Sequence, residues 1–253
     1  MSTRSLFLIG NNISHSLSYK IYGYLFKKYD INMIYSNIDI NPLGAKSFLS
    51  ILPCIQNITG LNATYPYKQL LLEYGEADNI TNEIGGANIL YYSSDKIKVD
   101  NTDGPGIVNF VKRYKIKTNR IAILGTGITA RAFSYNLLKR CDLIDVYSRE
   151  PNKVNNKSFF SEKGIVIKDY NELCTVYYDI IFNVTPVSFE ALDLKETINC
   201  GKLFDVNYNC LNYDYFNGIY LLIEQALINF RIWTGIDADC EYKQLFELLT
   251  GEN

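Results

Sequence analysis

Residues 120–140 read RIAILGTGITARAFSYNLLKR, and the fold turns on this stretch. Ile121 to Leu124 is a short apolar run of strand character, Gly125 to Ala130 matches G-x-G-x-x-A, and Thr129 to Arg140 carries apolar residues at helical spacing. In such a turn the glycines let a pyrophosphate approach backbone N–H groups, and the alanine lets the helix pack closely on the strand. A second strand follows at Leu143 to Tyr147, with later ones at Asp179 to Val184 and Lys202 to Val206. Strand, glycine turn, helix and strand form parallel βαβ grammar, so this half is expected to be a Rossmann-like dinucleotide domain.

A domain of this type that holds NAD usually ends its second strand in Asp or Glu, which binds the ribose hydroxyls. Here the strand ends in Ser148-Arg149, with Lys153 four residues on. Two cations suit a 2′-phosphate, because an arginine fork pairs with phosphate oxygens and stacks on adenine. NADP is therefore expected over NAD, although Glu150 pulls the other way. The candidate cofactor-binding residues are Gly125, Thr126, Gly127, Ile128, Thr129, Ala130, Ser148, Arg149 and Lys153.

Outward from this unit, the N-terminal half alternates strands and helices less regularly. Strands are expected at Arg4 to Gly10, Asn32 to Ile38 and Ile58 to Ala63, and helices at Leu17 to Tyr29, Ala45 to Leu52 and Tyr67 to Tyr74. A hairpin is expected from Ala87 to Tyr92 and Ile97 to Asn101 around S-S-D-K. Gly104-Pro105-Gly106 punctuates the chain and marks a boundary, and a C-terminal helix is expected from Ala226 onward. The expected organisation is α/β with two domains. An N-terminal α/β domain, 1–103, is joined by the helix 226–253, and 104–225 forms the Rossmann-like domain.

Composition narrows the function classes. The chain has 253 residues, 47% of them apolar and 21% charged, ample for packed cores and unlike a disordered protein. Its formal charge of −2 offers no electrostatic excess for nucleic acid or anionic lipid. The N-terminal apolar run is too short for a signal-peptide core, and Ile219 to Ile232 is broken by Glu224, Gln225, Asn229 and Arg231, well short of about 20 apolar residues in a row. A cytoplasmic protein without nucleic-acid or membrane partner is expected. The six cysteines form no C-x-x-C pair and there is a single histidine, so free thiols and no metal are expected.

Four polar segments exceed what a scaffold needs: N-N-I-S-H-S-L-S before the first helix, N-A-T-Y-P-Y-K at a strand end, G-G-A-N before a strand, and N-T-D-G at the boundary. Together with the glycine turn, S-R-E at 148–150, D-V-N-Y-N-C at 205–210, and Gln225 ahead of Trp233-Thr-Gly, they stand in one order along nearly the whole chain. In that order the sequence resembles the shikimate dehydrogenase family. The resemblance implies NADPH-dependent reduction of 3-dehydroshikimate to shikimate, on the route to aromatic amino acids and without a metal. It implies Lys68 and Asp103 as the catalytic pair. It places Ser16, Ser18, Thr64, Asn88, Tyr208 and Gln225 around the substrate, and adds Gly218 to the cofactor set. A homodimer is left open.

The residue types suit that chemistry. Hydride arriving at a ketone builds charge on oxygen, which an ammonium such as Lys68 can stabilise and protonate. Burial and a helix after Pro66 would lower the pKa of that lysine and a carboxylate at Asp103 would raise it, leaving the net sign open. Asp103 can orient both lysine and substrate, and the Ser16 and Ser18 hydroxyls can meet a carboxylate as neutral donors. Read without the motif order, Lys68 is a solvated turn lysine, and Asp103, Ser16, Ser18 and Thr64 are turn or cap residues. His15 beside Ser16 does not make a hydrolase, since no G-x-S-x-G elbow is present.

The chain departs from the family pattern at several points. Asn12, Tyr19 and Cys210 stand where prolines are expected, which reads as lost rigidity. Tyr220 and Leu221 replace glycine and methionine beside the nicotinamide position, so Tyr220 brings unexpected bulk there. The 209–218 connection is short enough that a helix of the nucleotide domain is expected to be missing. Two alternatives follow: a quinate/shikimate dehydrogenase using NAD, and a non-catalytic dinucleotide- or substrate-binding relative.

Overall fold

The structure, a computed structural model, describes residues 3–192, 194, 198–208 and 215–251. These residues form two compact units, 1–102 with 222–253 and 103–221. In the first, β1 (Arg4–Gly10), α1 (Ser18–Lys28), β2 (Met33–Asp39), α2 (Pro42–Ile51), β3 (Ile58–Ala63), β4 (Glu76–Ala77), α3 (Asn79–Ile84), β5 (Ile89–Ser93) and β6 (Lys96–Asp100) follow in order. The second continues with α4 (Asp103–Arg113), β7 (Arg120–Leu124), α5 (Ile128–Leu137), β8 (Leu143–Ser148), α6 (Lys157–Ser161), β9 (Val166–Asp169), β10 (Tyr178–Asn183), β11 (Cys200–Asp205) and β12 (Tyr215–Phe216). Last come α7 (Gly218–Thr234) and α8 (Tyr242–Thr250).

The second unit's sheet has the order β12-β11-β10-β7-β8-β9, with every pair parallel. Strand order therefore reverses between β7 and β10, the switch point at which doubly wound sheets open a crevice. One face is packed by Phe110 of α4, Ala130, Phe133 and Leu137 of α5, and Phe159 and Phe160 of α6. Phe133, Phe182 and Phe204 meet there with ring centroids 5.5 to 6.3 Å apart. The opposite face lacks long helices among the described residues, and 3-10 turns at Tyr170–Thr175 and Phe189–Leu192 cover it. Buried Asp145 accepts hydrogen bonds there from Tyr178 Oη at 2.6 Å and Lys168 Nζ at 2.7 Å.

The first unit's sheet runs β2-β1-β3-β5-β6-β4, with β1, β2 and β3 parallel and β5 antiparallel to both β3 and β6. The hairpin joining β5 to β6 turns at Ser94 and Asp95, whose φ of 50° and 63° give the left-handed pair of a type I′ turn. Residues 222–253 belong to this unit. Tyr24 on α1 donates to the buried Glu241 carboxylate just ahead of α8 at 2.7 Å.

The structure corrects three sequence expectations. No α-helix spans 67–74: a turn leads into a 3-10 segment, Leu70–Glu73, because the Lys68 carbonyl is taken by Ala87 N at 2.8 Å instead of by the next helical turn. The proposed helix-end influence on Lys68 thus has no α-helix behind it. Gly104-Pro105-Gly106 does not interrupt the chain but forms the first turn of α4, where a proline lacking its N–H is tolerated. The C-terminal helix begins at Gly218, not Ala226, with the Asn217 side chain accepting from Ile219 N at 3.0 Å. It ends at Gly235, where φ is 75°, and α8 is a separate helix. The expected absence of a helix between 209 and 218, and the replacement at Cys210, fall largely on 209–214, outside the described residues.

Candidate active site

In the first unit the polar segments meet at the C-terminal ends of β1 and β3. Thr64 N bonds to Ile9 O at 3.0 Å, Ala63 N to Asn88 O at 3.0 Å, and Ala87 N to Lys68 O at 2.8 Å. These backbone bonds bring Thr64, Lys68 and Asn88 to one end of the sheet. Asn88 is buried, and its Oδ1 accepts from Thr102 N at 2.8 Å while its Nδ2 donates to Gln225 Oε1 at 3.1 Å. Gln225, expected just outside the terminal helix, thus lies within α7.

Ser16 and Ser18 are both buried, with Ser16 Oγ 3.3 Å from Ser18 Oγ. Leu17 is the N-cap of α1 and makes no side-chain cap bond, so neither serine is the N-cap residue. The loop bearing them is held from β2. Asp39 accepts from Asn12 N at 2.9 Å and from Ile13 N at 3.2 Å. Asn12 has φ 60°, in the left-handed region. A proline has no N–H and keeps φ near −65°, so it could adopt neither feature. The Asn12 replacement therefore does not simply cost rigidity, because Asp39 supplies it through two charge-assisted bonds.

The second unit holds Asp103, Tyr208 and the glycine turn. Asp103 is buried in the first turn of α4, with Thr129 Oγ1 at 3.5 Å from its Oδ2. Burial, and secondarily the Asp103 charge, push the Tyr208 phenol up to about 12. Gly218 allows close approach: a Cβ there would fall 2.0 Å from Val206 O and 2.9 Å from Tyr208 Cδ1. Tyr220 turns into an aromatic cluster, its ring centroid 5.0 Å from Phe216, 5.2 Å from Tyr114 and 5.8 Å from Phe110. Leu221 is buried against the same core.

At the end of β7, Gly125 has φ 110°, and an added Cβ would sit 3.1 Å from the Thr185 methyl. Gly127 is the N-cap of α5 without a side-chain cap bond, and a Cβ on it meets nothing within 4 Å. Ala130 is fully buried beneath the turn. Open space over Gly127 and backbone N–H groups without a side-chain cap fit a dinucleotide pyrophosphate. At the end of β8, Lys153 is paired with Glu150, and Ser148 Oγ accepts from Glu150 N at 3.2 Å. One of the two cations expected for a 2′-phosphate is thus already matched. The pair is exposed, so a phosphate can displace it at little cost.

The sequence reading missed a buried lattice at the ends of β10 and β11. Asn183 Oδ1 accepts from Thr185 N at 3.1 Å and Oγ1 at 2.8 Å, while Asn183 Nδ2 donates to Asp205 Oδ2 at 3.1 Å. The same Asp205 oxygen accepts from Phe189 N at 2.6 Å, and Oδ1 accepts from Asn207 N at 2.9 Å. This lattice fixes Thr185 beside Gly125. The available signal was N-V-T-P, a polar break directly after the apolar run of β10.

A family model described as the shikimate dehydrogenase substrate binding domain matches residues 8–90. The chain is 27% identical to shikimate dehydrogenase (NADP(+)) of Methanococcus vannielii, covering 92% of each chain. To the enzyme of the same name from Ignicoccus hospitalis it is 29% identical, covering 96% of this chain and 97% of that one. Among solved structures it is similar to a chorismate mutase/shikimate 5-dehydrogenase fusion protein from Clostridium acetobutylicum, with a TM-score of 0.84 at 27% identity over 99% and 98% of the two chains. It is likewise similar to shikimate dehydrogenase 1 from Peptoclostridium difficile, with a TM-score of 0.81 at 25% identity over 97% and 99%. Matching motif order, a parallel sheet with its glycine turn at the switch point, and likeness along both units agree: the chain is similar to shikimate dehydrogenases over nearly its whole length, and residues 8–90 match the substrate binding domain of that family.

Proposed function

We propose that the protein is an NADP-dependent shikimate dehydrogenase that interconverts 3-dehydroshikimate and shikimate on the route to chorismate and the aromatic amino acids. The observation that carries this reading is the gathering of Ser16, Ser18, Thr64, Lys68, Asn88 and Gln225 within the first unit, a set of hydroxyl, amide and ammonium groups suited to a polyhydroxylated carboxylic acid. In this reading 1–102 with 222–253 binds substrate and 103–221 binds the dinucleotide.

Each side chain then has a distinct task. Ser16 and Ser18 donate to the substrate carboxylate, while Asn88 and Gln225 hold ring hydroxyls. Lys68 donates to the carbonyl oxygen as charge builds there and carries the proton in both directions. Asp103 orients the reacting groups, and Tyr208, protonated at neutral pH, offers a phenolic donor. The glycine turn would hold the pyrophosphate of NADP, and Arg149 with Lys153 the 2′-phosphate. When bound, the nicotinamide supplies the hydride.

Spectrophotometric assay with shikimate and either NADP or NAD tests substrate and cofactor together. Shikimate-dependent reduction faster with NADP is expected, and no reduction with either cofactor overturns the reading. A second reading, a quinate/shikimate dehydrogenase using NAD, is favoured by one observation, the Glu150–Lys153 pair. Quinate turnover with NAD exceeding shikimate turnover with NADP would select it. The engagement of Tyr220 with Phe110, Tyr114 and Phe216 argues against a non-catalytic relative obstructed by that ring. We place the protein in the cytoplasm, without nucleic-acid or membrane partners. The net charge of −2 offers no electrostatic attraction to nucleic acid or anionic lipid, and no helix among the described residues is long and apolar enough to cross a membrane. Light scattering tests for a homodimer.

A further inference from the structure

Near its start, α5 presents three flanks, and each meets something different. Ala130 is fully buried in the core beneath the sheet, and Thr129 Oγ1 lies 3.5 Å from Asp103 Oδ2 on α4. Arg131, on the remaining flank, has its guanidinium carbon 5.9 Å from the ring centroid of Phe159 on α6. Side chains on a helix lean back toward its N-terminus, so the Arg131 stem runs toward the turn that starts at Gly127. Phe159 follows the connection that leaves β8 at Ser148 and carries Arg149 and Lys153 into α6. Arg131 thus stands on the side of the glycine turn that faces this connection.

The charge of this arginine is unmatched. Its Nε is buried without a hydrogen-bond partner, and no carboxylate among the described residues pairs with its fork. Burial holds its pKa below the usual arginine value, although the group stays charged at neutral pH. A second cation attends the same ring: Lys163 Nζ is 4.0 Å from the Phe159 centroid and 5.7 Å from that of Tyr135, one turn along α5 from Arg131. At 5.9 Å the arginine is at the outer limit of a cation–π contact, which offsets little of its desolvation. A half-buried guanidinium beside a like charge gains most from an anion that arrives to meet it.

The cofactor offers two phosphate positions. Backbone N–H groups at the start of α5 already suit the pyrophosphate, with open space over Gly127. At the end of β8, by contrast, Lys153 is paired with Glu150, so Arg149 lacks an unmatched companion there. We propose that Arg131 is a further cofactor-binding residue, its fork meeting the 2′-phosphate of NADP from the α5 side while Arg149 and Lys153 approach from the connection after β8. A planar fork suits a terminal phosphate, which can accept two parallel bonds. The inference rests on the NADP reading above and adds a residue that lies outside the G-x-G-x-x-A pattern.

Calorimetry with 2′,5′-ADP and 5′-AMP isolates the 2′-phosphate without substrate or turnover. Wild type is expected to bind 2′,5′-ADP at least about tenfold more tightly than 5′-AMP. Arg131→Gln and Arg131→Met, the latter keeping an apolar stem against Phe159, should each weaken 2′,5′-ADP about tenfold and leave 5′-AMP within about twofold. Lys153→Ala should weaken 2′,5′-ADP less than either. In turnover, kcat/KM for NADP should fall by a similar factor in the Arg131 variants, with that for NAD little changed. Unchanged 2′,5′-ADP affinity in whichever Arg131 variant folds, or equal losses for both nucleotides, would overturn the proposal. A wild type without preference for 2′,5′-ADP defeats the NADP reading and the proposal together. That preference in a protein that leaves shikimate unoxidised defeats only the shikimate reading, and the Arg131 variants still decide the proposal.

Discussion

The two units prepare their chemistry in opposite ways. In the first, side chains hold side chains: Asn88, Thr102 and Asn229 are buried and mutually bonded, and Asp39 clamps the serine loop by its backbone. In the second, the candidate cofactor site rests on main chain and open space, with a glycine at φ 110°, a helix start without a side-chain cap, and an exposed Glu150–Lys153 pair. A small rigid acid with several hydroxyls rewards fixed donors, whereas a long dinucleotide rewards a cradle of N–H groups and adjustable cations. Substitutions should therefore act through orientation in one unit and through backbone fit in the other.

The sharpest test of this contrast is Lys68→Ala, which should lower kcat by about 10²- to 10⁴-fold while leaving shikimate affinity, read by calorimetry, changed far less. An unchanged kcat removes the lysine from the mechanism. The glycine turn offers a paired test. Gly125→Ala should cost about 1–3 kcal/mol in denaturant unfolding, because alanine is strained at that φ and crowds the Thr185 methyl. Gly127→Ala should leave the unfolding midpoint nearly unchanged yet raise KM for NADP several-fold, since its Cβ points into open space that the dinucleotide would fill. Equal stability losses at both positions would erase the distinction between strain and ligand fit.

A smaller effect is expected at the end of β8. Arg149→Ala should reduce the preference for NADP over NAD about tenfold, and Lys153→Ala should do less because Glu150 already engages that lysine. A larger loss at Lys153 would reverse their assigned weights. The last effect is invisible at neutral pH. Tyr24, Tyr91 and Tyr208 are each raised from 10.0 to about 12, Tyr24 chiefly by its bond to Glu241 and the other two chiefly by burial. A phenol with a raised folded pKa contributes fully below pH 10 and loses that contribution as pH climbs through 12. Unfolding free energy should hence be flat approaching pH 10 and fall between pH 10 and 12, and a flat profile through that window would contradict these shifts.

How much of this could be read beforehand depended on the range of the interactions. Apolar runs bounded by punctuation, Arg4–Gly10 and Ile58–Ala63, coincide with β1 and β3, because local pattern and sheet burial agree there. Local pattern misled where a distant partner decided the outcome. The Lys68 carbonyl is claimed by Ala87, so no α-helix forms there, whereas α7 starts eight residues before the expected Ala226 through a local signal, the Asn217 cap. The motifs name Asn88 and Gln225 as substrate groups by resemblance, but nothing local announces Thr102 facing Asn229 across 127 positions, or Asn183 tied to Asp205. Buried amide pairing lacks the periodicity that betrays strands and helices. It becomes visible only when the chain is folded.

Trp233 is the sole indole of the chain, and it packs on Tyr22 and Tyr35 with centroids 5.4 and 6.4 Å away. Excited at the red edge of its absorption, it makes 1–102 with 222–253 luminous and leaves 103–221 dark. The protein thus carries a built-in optical reporter for one half of itself, so the melting of each half can be timed separately by setting emission against circular dichroism, with no label attached.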